Sequence, residues 1–576
     1  MSLKKSSCKK MAFVNSGESI IRRIQIGNDS IPSENQSQNI EFPDIRDCWK
    51  AYLSQTQQTD DTKRTDVTEW SGKGETLNVA ELFSGPGGLA QGVKQFCSDI
   101  GLKFNSVAAL DTNKNALKVY ERNHNTDNRF SENSEDQDSN RNWDKHKGDV
   151  TKLVSGNWRT PKVTSRVVKT NYAKRLEVPE NKWIRRRGNH RGNITKWKKK
   201  TEEEKIGKTR PTLSVLEIDV DYEHDDRPKI NKDGAWSGIK KGSLDLLLAG
   251  PPCQGHSNLN NHTRRDDKKN ELYLIVPAVA ISWEIPLVII ENVEGVVHDV
   301  SGVVQQTEGI FKANGYKVER GVLDAAKMGW PQTRKRYFLI ARKTGHPLPI
   351  KEVMNFFQIP EGEKPLGVKD AFCNLENQKT FTRGCAEAEK GENYMFTLPD
   401  YSAKEKARAK YHAAKDLDEK IKAVRELQQA FIQENKISKD LIDQNFKEAV
   451  EELKRDFKNL KEDWNLPTRL HNKTHWQATS YPTVYGRLDM DKPSGTITSG
   501  YMCSGRGRFT HPVKARTLTP REAARLQGFP DSYDWKPEDG RAPSATEIAQ
   551  WIGDAVPMPL GYAAAYSALG NGLNFK

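Results

Sequence analysis

The feature that most constrains this chain is an apolar run that ends in a glycine turn and opens a helix. Leu77-Asn78-Val79-Ala80-Glu81-Leu82-Phe83 leads into Ser84-Gly85-Pro86-Gly87-Gly88, and residues 89–96 read as helix. Strand, glycine turn, helix is the opening of a doubly wound α/β domain, which needs further strands covered on both faces. Continuous apolar runs of that kind lie at residues 107–110, 244–249, 286–290 and 337–341, with helix-compatible segments at 272–283 and 303–313 between them. The expected fold class is α/β, with a doubly wound Rossmann-like domain built from residues 76–150 and 244–345.

The rest of the 576 residues divides around that core. Residues 1–75 are rich in Ser, Asn, Gln and charge and read as a mostly disordered polar leader with one docking helix near 42–53. Residues 151–243 lack the strand and helix rhythm and read as a basic insertion. Beyond residue 342 the alternation stops. Leu417, Ile421, Val424, Leu427 and Phe431 form one apolar helical stripe, and Phe446, Val450, Leu453, Phe457, Leu460 and Trp464 form another. Two antiparallel helices over 402–464, inside a separate smaller domain at 346–515, would bury both stripes. Residues 516–576 return to the first domain.

Charge enters the argument because it is concentrated. The chain carries 91 Lys plus Arg against 77 Asp plus Glu, a net charge of +14, and residues 159–210 alone hold 18 Lys/Arg and 5 Asp/Glu. Taken alone, such a run is more often a solvated loop than a binding surface. The sharper alternative is a phosphate-contacting surface whose Trp183, Trp197 and Tyr172 stack on bases. No apolar run is long enough to cross a bilayer and no signal core follows the basic start, so the chain reads as soluble and intracellular. Seven dispersed cysteines without a C-x-x-C pair indicate neither a disulfide framework nor a zinc site, and no metal is expected.

The glycine turn suits a nucleoside ligand: it permits close backbone approach, and the helix behind it offers free N–H groups. A nicotinamide site is one reading, an adenosyl ligand another, an ordinary tight turn a third. Asp111, ending Ala109-Leu110-Asp111, suits ribose hydroxyls in any of the nucleoside cases. A cysteine in Leu246-Leu247-Leu248-Ala249-Gly250-Pro251-Pro252-Cys253-Gln254-Gly255 sits just past a buried strand on a proline-stiffened loop, at the sheet edge where ligands bind.

With Phe83-Ser84-Gly85-Pro86-Gly87-Gly88, Gly250-Pro251-Pro252-Cys253-Gln254-Gly255, Glu291-Asn292-Val293, Gln332-Thr333-Arg334-Lys335-Arg336, the 516–530 segment and Gly553-Asp554-Ala555-Val556-Pro557 in this order, the chain resembles the DNA (cytosine-5) methyltransferases. The resemblance covers roughly residues 76–150, 243–345 and 484–576. It implies methyl transfer from S-adenosyl-L-methionine, released as S-adenosyl-L-homocysteine, to carbon 5 of a cytosine swung out of duplex DNA, with Cys253 as nucleophile. It assigns Glu291 to the N3/N4 edge of the base, Arg336 to its carbonyl oxygen, and Arg334 to the catalytic set. It places Phe83, Ser84, Gly85, Gly87, Gly88, Asp111, Asp149 and Asp554 around the cofactor; the last motif usually reads Gly-Asn, and here it is Gly553-Asp554. It also implies a DNA-closing loop at 257–269.

Gln254, Ser257, Arg264, Arg265, Gln332, Thr498, Arg506 and Arg508 are the expected DNA contacts. Duplex DNA is the expected partner, with a cognate restriction endonuclease acting on the same site and no membrane. The protein is expected as a monomer, in the cytoplasm of a prokaryote or the nucleus of a eukaryote. Three rivals stand beside this reading. An RNA cytosine methyltransferase could use the same scaffold. A dehydrogenase using the glycine turn leaves Cys253 and the 332–336 motif unexplained. A non-catalytic DNA-binding regulator would have no need of an intact Cys253 and Glu291.

Overall fold

The computed structural model describes residues 8–15, 20–26, 29–32, 45–56, 76–124, 149–159, 161–167, 217–224, 227–236, 238–252, 268–298, 302–375, 378–383, 390–399, 416–435, 487–503, 506–537 and 541–570, with isolated positions between 387 and 454. Three antiparallel strands, β1 (Cys8–Asn15), β2 (Ile20–Ile26) and β3 (Asp29–Pro32), form a small sheet in the leader, followed by α1 (Ile45–Thr56). The leader therefore holds a sheet that its polar composition did not suggest. Its helix is docked: Trp49 Nε1 donates to the Met328 carbonyl at 2.7 Å, Tyr52 Oη donates to the Gly528 carbonyl at 2.8 Å, and the Trp49 ring meets Trp330 and Tyr562 edge-on.

The main domain opens with β4 (Thr76–Leu82), α2 (Gly88–Asp99), β5 (Lys103–Leu110) and α3 (Lys114–His124). Within the insertion, β6 (Val154–Ser155) pairs with β9 (Lys229–Ile230), and β7 (Lys162–Val167) pairs with β8 (Glu217–Asp221). The chain then returns through β10 (Leu246–Ala249), α4 (Ile275–Ser282), β11 (Leu287–Asn292), α5 (Val303–Ala313), β12 (Lys317–Asp324), β13 (Lys335–Arg342) and α6 (Ile350–Phe357). After them come α7 (Leu417–Asn435), α8 (Pro520–Gln527), α9 (Ala545–Asp554) and α10 (Met558–Leu569).

One six-stranded sheet, in the order β12-β13-β11-β10-β4-β5, organises the molecule. β5, β4, β10 and β11 run parallel and β13 runs against β11 and β12. Every residue of β10 and β11 is buried, as the unbroken apolar runs require when helices cover both faces. Alternation splits their side chains between two cores. Leu246, Leu248, Leu287 and Ile289 pack with α1, α2, α6 and α10; Leu247, Ala249, Val288 and Ile290 pack with α4 and α5. Burying one such Leu or Ile contributes roughly 1.5–3 kcal/mol, so this seam holds the strand order. β12 escaped the sequence reading because it is an edge strand, Lys-Val-Glu-Arg-Gly-Val-Leu-Asp, only half-buried along most of its length.

The insertion contributes to the second of these cores, since Trp158, Val220, Tyr222 and Trp236 are buried in it. The basic residues between 168 and 216 lie outside the described residues. Of the expected helical hairpin, α7 is present with Ala423, Val424 and Leu427 buried, whereas the second arm falls almost wholly outside the described residues. A third core joins one face of α3 to residues 368–395, 488–509, α8 and α9. α8 starts as its sequence dictates: Thr519 caps it, Pro520 takes the first turn, and Glu522 returns to the Thr519 N–H at 2.9 Å in a capping box. Among the described residues no helix is long and apolar enough to cross a membrane, and no cluster of His, Cys, Asp and Glu is arranged to hold a metal ion.

Candidate active site

β4 hydrogen-bonds to β5 on one side and to β10 on the other, so the chain reverses its direction of winding there. Such a switch point opens a crevice at the carboxyl ends of the strands. The glycine turn after β4 and the Gly250-Pro251-Pro252 loop after β10 are its two walls.

In the turn, Phe83 takes φ 56° and Gly85 φ 52°, Ser84 is buried, and Gly87 caps α2 at φ 94°. The left-handed conformation is strained for Phe83 and natural for the glycines. Gly87 N–H closes the turn on the Ser84 carbonyl at 3.0 Å. A Cβ on Gly85 would meet nothing within 4 Å, so this side of the turn faces open space, while Gly88 backs against the Val556 backbone. Asp111, just past the end of β5, accepts from Gly85 N–H at 2.9 Å and from Asn113 N–H at 2.7 Å. Burial pushes its carboxyl up and those two N–H groups pull it back. Asp149 lies farther along the chain as the cap of a short helical turn, its Oδ1 accepting from Thr151 N–H at 2.9 Å and from the Thr151 hydroxyl at 2.7 Å. Asp554 ends α9; desolvation raises its carboxyl against the pull of Arg334, Gln550 and Arg336, and the Asp111 charge adds to the rise, so Arg334, Arg336 and Asp111 lie within electrostatic reach of it.

Across the crevice, Glu291 near the end of β11 is buried and ion-paired with Arg336, Oε1 to Nε 2.8 Å. Desolvation raises its carboxyl above the ordinary range, against the pull of Arg336 and then Arg334. Glu291 Oε2 lies 3.8 Å from where a Cβ on Gly250 would be, so the acid stands at the root of the 251–255 loop. Asn292 fixes that root by donating to the Pro251 carbonyl at 3.1 Å. Cys253, Gln254, Ser257, Arg264 and Arg265 lie outside the described residues.

Arg334 is almost fully buried, and its Nη1 donates to the carbonyls of Ile497 (2.7 Å) and Gly553 (3.0 Å). Its geometry is that of a tie between β13, the 494–498 segment and α9, and its charge is felt at Glu291. Arg334→Ala is expected to leave two buried carbonyls without this donor at about 1–3 kcal/mol each. A thermal melt should show the midpoint falling by several degrees.

Gln332 requires a correction. Expected at the DNA, it is fully buried, donating to the Leu526 carbonyl and Gln527 Oε1 at 2.9 and 3.0 Å, so an amide so enclosed cannot reach a duplex. Thr498 is half-buried beside Gly553, Arg506 is exposed and Arg508 half-buried; these three remain on or near the surface. Sequence reading missed Glu81, Tyr120, His124 and Tyr533, which lie buried beneath the glycine turn. The legible signal was an acid in the apolar β4 run and the i, i+4 placement of Tyr120 and His124 on one face of α3.

A sheet with a glycine turn, a strand-end carboxylate and a buried acid–guanidinium pair around its switch point defines an α/β enzyme that works across the carboxyl ends of its strands. The chain belongs to the C-5 cytosine-specific DNA methylase family, whose model matches residues 77–157 and 213–569, and it is thus a DNA (cytosine-5)-methyltransferase. The family match skips 158–212, nearly the span of the basic stretch. The chain is 28% identical over 496 residues to Type II methyltransferase M1.BsuMI of Bacillus subtilis, covering 86% of this chain and 81% of that protein. It is 26% identical to Type II methyltransferase M.AgeI of Thalassovita gelatinovora, over 59% of this chain and 85% of that one. Compared with the crystal structure of the S. pombe Dnmt2 methyltransferase, the TM-score is 0.40 at 14% identity, over 85% of this chain and 97% of the other.

Proposed function

We propose that the enzyme methylates carbon 5 of a flipped-out cytosine in a specific duplex DNA sequence, with S-adenosyl-L-methionine as donor, as the modification enzyme of a restriction–modification system. The observation that carries this reading is the buried Glu291–Arg336 pair at the root of the Cys253 loop, with β10 between Glu291 and the glycine turn. Both similar bacterial proteins are named type II methyltransferases, which supports the restriction–modification setting.

The turn suits the donor. The open space beyond Gly85 leaves room for a ligand against the backbone, and Asp111 and Asp554 supply negative charge for a cationic one. Phe83, Ser84, Gly85, Gly87, Gly88, Asp111 and Asp554 would hold S-adenosyl-L-methionine; Asp149, with one oxygen already capping its own helical turn, would meet it through the other. When bound, this group supplies an electrophilic methyl group.

The chain's own residues do the rest. The Cys253 thiolate adds to carbon 6 of cytosine, which makes carbon 5 enamine-like and nucleophilic. Glu291, its carboxyl raised by burial, holds a proton at the N3 edge and offsets the charge that builds there during attack. Arg336, which orients Glu291, would face the base carbonyl oxygen, and a guanidinium brought beside the thiol would favour thiolate at Cys253. After transfer, water takes the carbon-5 proton and Cys253 leaves.

Residues 346–515 would read the target, with Thr498, Arg506 and Arg508 at the DNA. The loop carrying Gln254, Ser257, Arg264 and Arg265 would close over it. Phosphate contacts by these cations position the duplex without specifying sequence. Incubation with tritiated S-adenosyl-L-methionine tests the reading: label on duplex DNA, at cytosine carbon 5, is expected, and label on RNA alone or on neither would overturn it.

The basic stretch adds a separate expectation. Residues 168–210 hold 15 Lys/Arg and 5 Asp/Glu, and removing them spares the β7–β8 pair. Their deletion should weaken duplex binding and flatten the salt dependence, the log–log slope falling by about 0.9 for each phosphate that the stretch neutralises. An unchanged slope in a titration over salt would return the stretch to a passive loop.

A further inference from the structure

The glycine turn has a mechanical weakness. Pro86 has no N–H of its own and sits between Gly85 and Gly87, both at positive φ. Glycines cross between conformations readily, and inside the turn the Pro86–Gly87 peptide is held at one end only, by Gly87 N–H on the Ser84 carbonyl at 3.0 Å. Its carbonyl end is held from the far end of the chain. The Tyr533 hydroxyl, in the segment after α8, donates to the Pro86 carbonyl, and His124 Nε2 lies 3.0 Å from the same hydroxyl.

The proton order along this chain follows from chemistry. A tyrosine hydroxyl that donates to Pro86 can only accept from His124, so the imidazole carries its proton on Nε2. Its Nδ1 is buried with no partner, as befits a neutral ring, since a second N–H there would be stranded. The ring fills the space where a Cβ on Gly87 would stand, and Tyr120 Cδ2 lies 2.9 Å from that point. Tyr120 is in turn held by Ser106 at 3.1 Å. The Tyr533 segment is fixed to α3 by Asn123, whose side chain donates to the Asp534 carbonyl at 2.8 Å and accepts from its N–H at 2.9 Å.

We propose that His124 and Tyr533 are positioning residues for the donor-binding turn: a two-link hydrogen-bond chain from α3 through the carboxyl-terminal segment fixes the Pro86 carbonyl and so presets the turn for S-adenosyl-L-methionine. This rests on the donor assignment above. Both side chains act through the Pro86 carbonyl, so the effect expected is on donor affinity and not on the chemical step. It also makes the turn competent only when the carboxyl-terminal segment is docked.

Tyr533→Phe removes the hydroxyl and keeps the ring. In the full chain, calorimetric titration with S-adenosyl-L-methionine and with unreactive S-adenosyl-L-homocysteine is expected to show Kd rising about tenfold, the effect of one buried hydrogen bond. The rate at saturating donor and the DNA affinity should stay within about twofold. Trp535→Phe, a packing change in the same aromatic cluster, is the control for general loosening. It should lower the melting temperature as much or more yet leave donor Kd within about twofold. His124→Gln, which keeps an N–H for Tyr533, should bind donor about tenfold more tightly than His124→Leu, so the proposal survives a poorly folding Tyr533 variant. Unchanged donor affinity in Tyr533→Phe would overturn it, as would losses that track melting temperature in all variants or equal binding by the two His124 variants. Failure of the wild-type protein to bind either compound would instead overturn the donor assignment itself.

Discussion

Replacing Cys253 by serine is expected to abolish methylation of duplex DNA, by at least roughly 10^3-fold in kcat, because an alcohol of ordinary pKa cannot deliver the electron pair that a thiolate adds to carbon 6. DNA affinity should remain within a few-fold of wild type, since the proposed DNA contacts are basic side chains and residues 487–508 rather than the sulfur. A gel-shift titration beside a tritium-transfer assay separates the two quantities. Wild-type turnover by the serine variant would remove covalent catalysis from the mechanism.

Glu291→Gln is the second large effect. The carboxyl is buried beside Arg336 and its proton affinity is raised, a setting in which a group can hold a proton at neutral pH and offer it to a ring nitrogen. Glutamine keeps the shape and one hydrogen bond but cannot transfer a proton. A loss of about 10^2–10^4-fold in kcat is expected, the usual range for a positioned acid or base. The sign with pH follows. If the acid form is the active one, kcat/KM for wild type falls as pH rises through the elevated Glu291 pKa, and that limb disappears in the glutamine variant. A pH–rate profile that keeps the same limb in Glu291→Gln would assign it to another group.

Much of this was legible in the sequence, and the reasons are physical. Parallel strands buried on both faces write themselves as unbroken apolar runs, so β10 and β11 were readable from Leu246 to Ala249 and from Leu287 onward. The edge strand β12 has water on one side and a polar sequence, and its pairing with β13 is decided by tertiary contacts. Glu291 and Arg336 stood in recognisable motifs, and the fold brings them to 2.8 Å. Arg334 and Gln332 stood in the same motif, yet their side chains turn inward to bind carbonyls 163 to 219 residues away, a direction no local pattern encodes. The floor beneath the glycine turn was harder still, because it joins Tyr533 to Pro86 across 447 residues. The docking helix expected near 42–53 stands as α1, because Ile45, Cys48, Trp49 and Leu53 recur at helical spacing, but the Trp330 and Tyr562 surface that it meets is set by tertiary contacts and was not legible.

The most direct test of the central claim uses a duplex carrying the recognition sequence with 5-fluorocytosine at the target position. Fluorine at carbon 5 cannot leave as a proton does, so the enzyme should be trapped after methyl transfer, in a denaturant-resistant complex that forms only when S-adenosyl-L-methionine is present. Peptide mass spectrometry should place the modified base on Cys253. A complex mapped to another side chain, or none at all from protein that methylates the ordinary duplex, would contradict the mechanism.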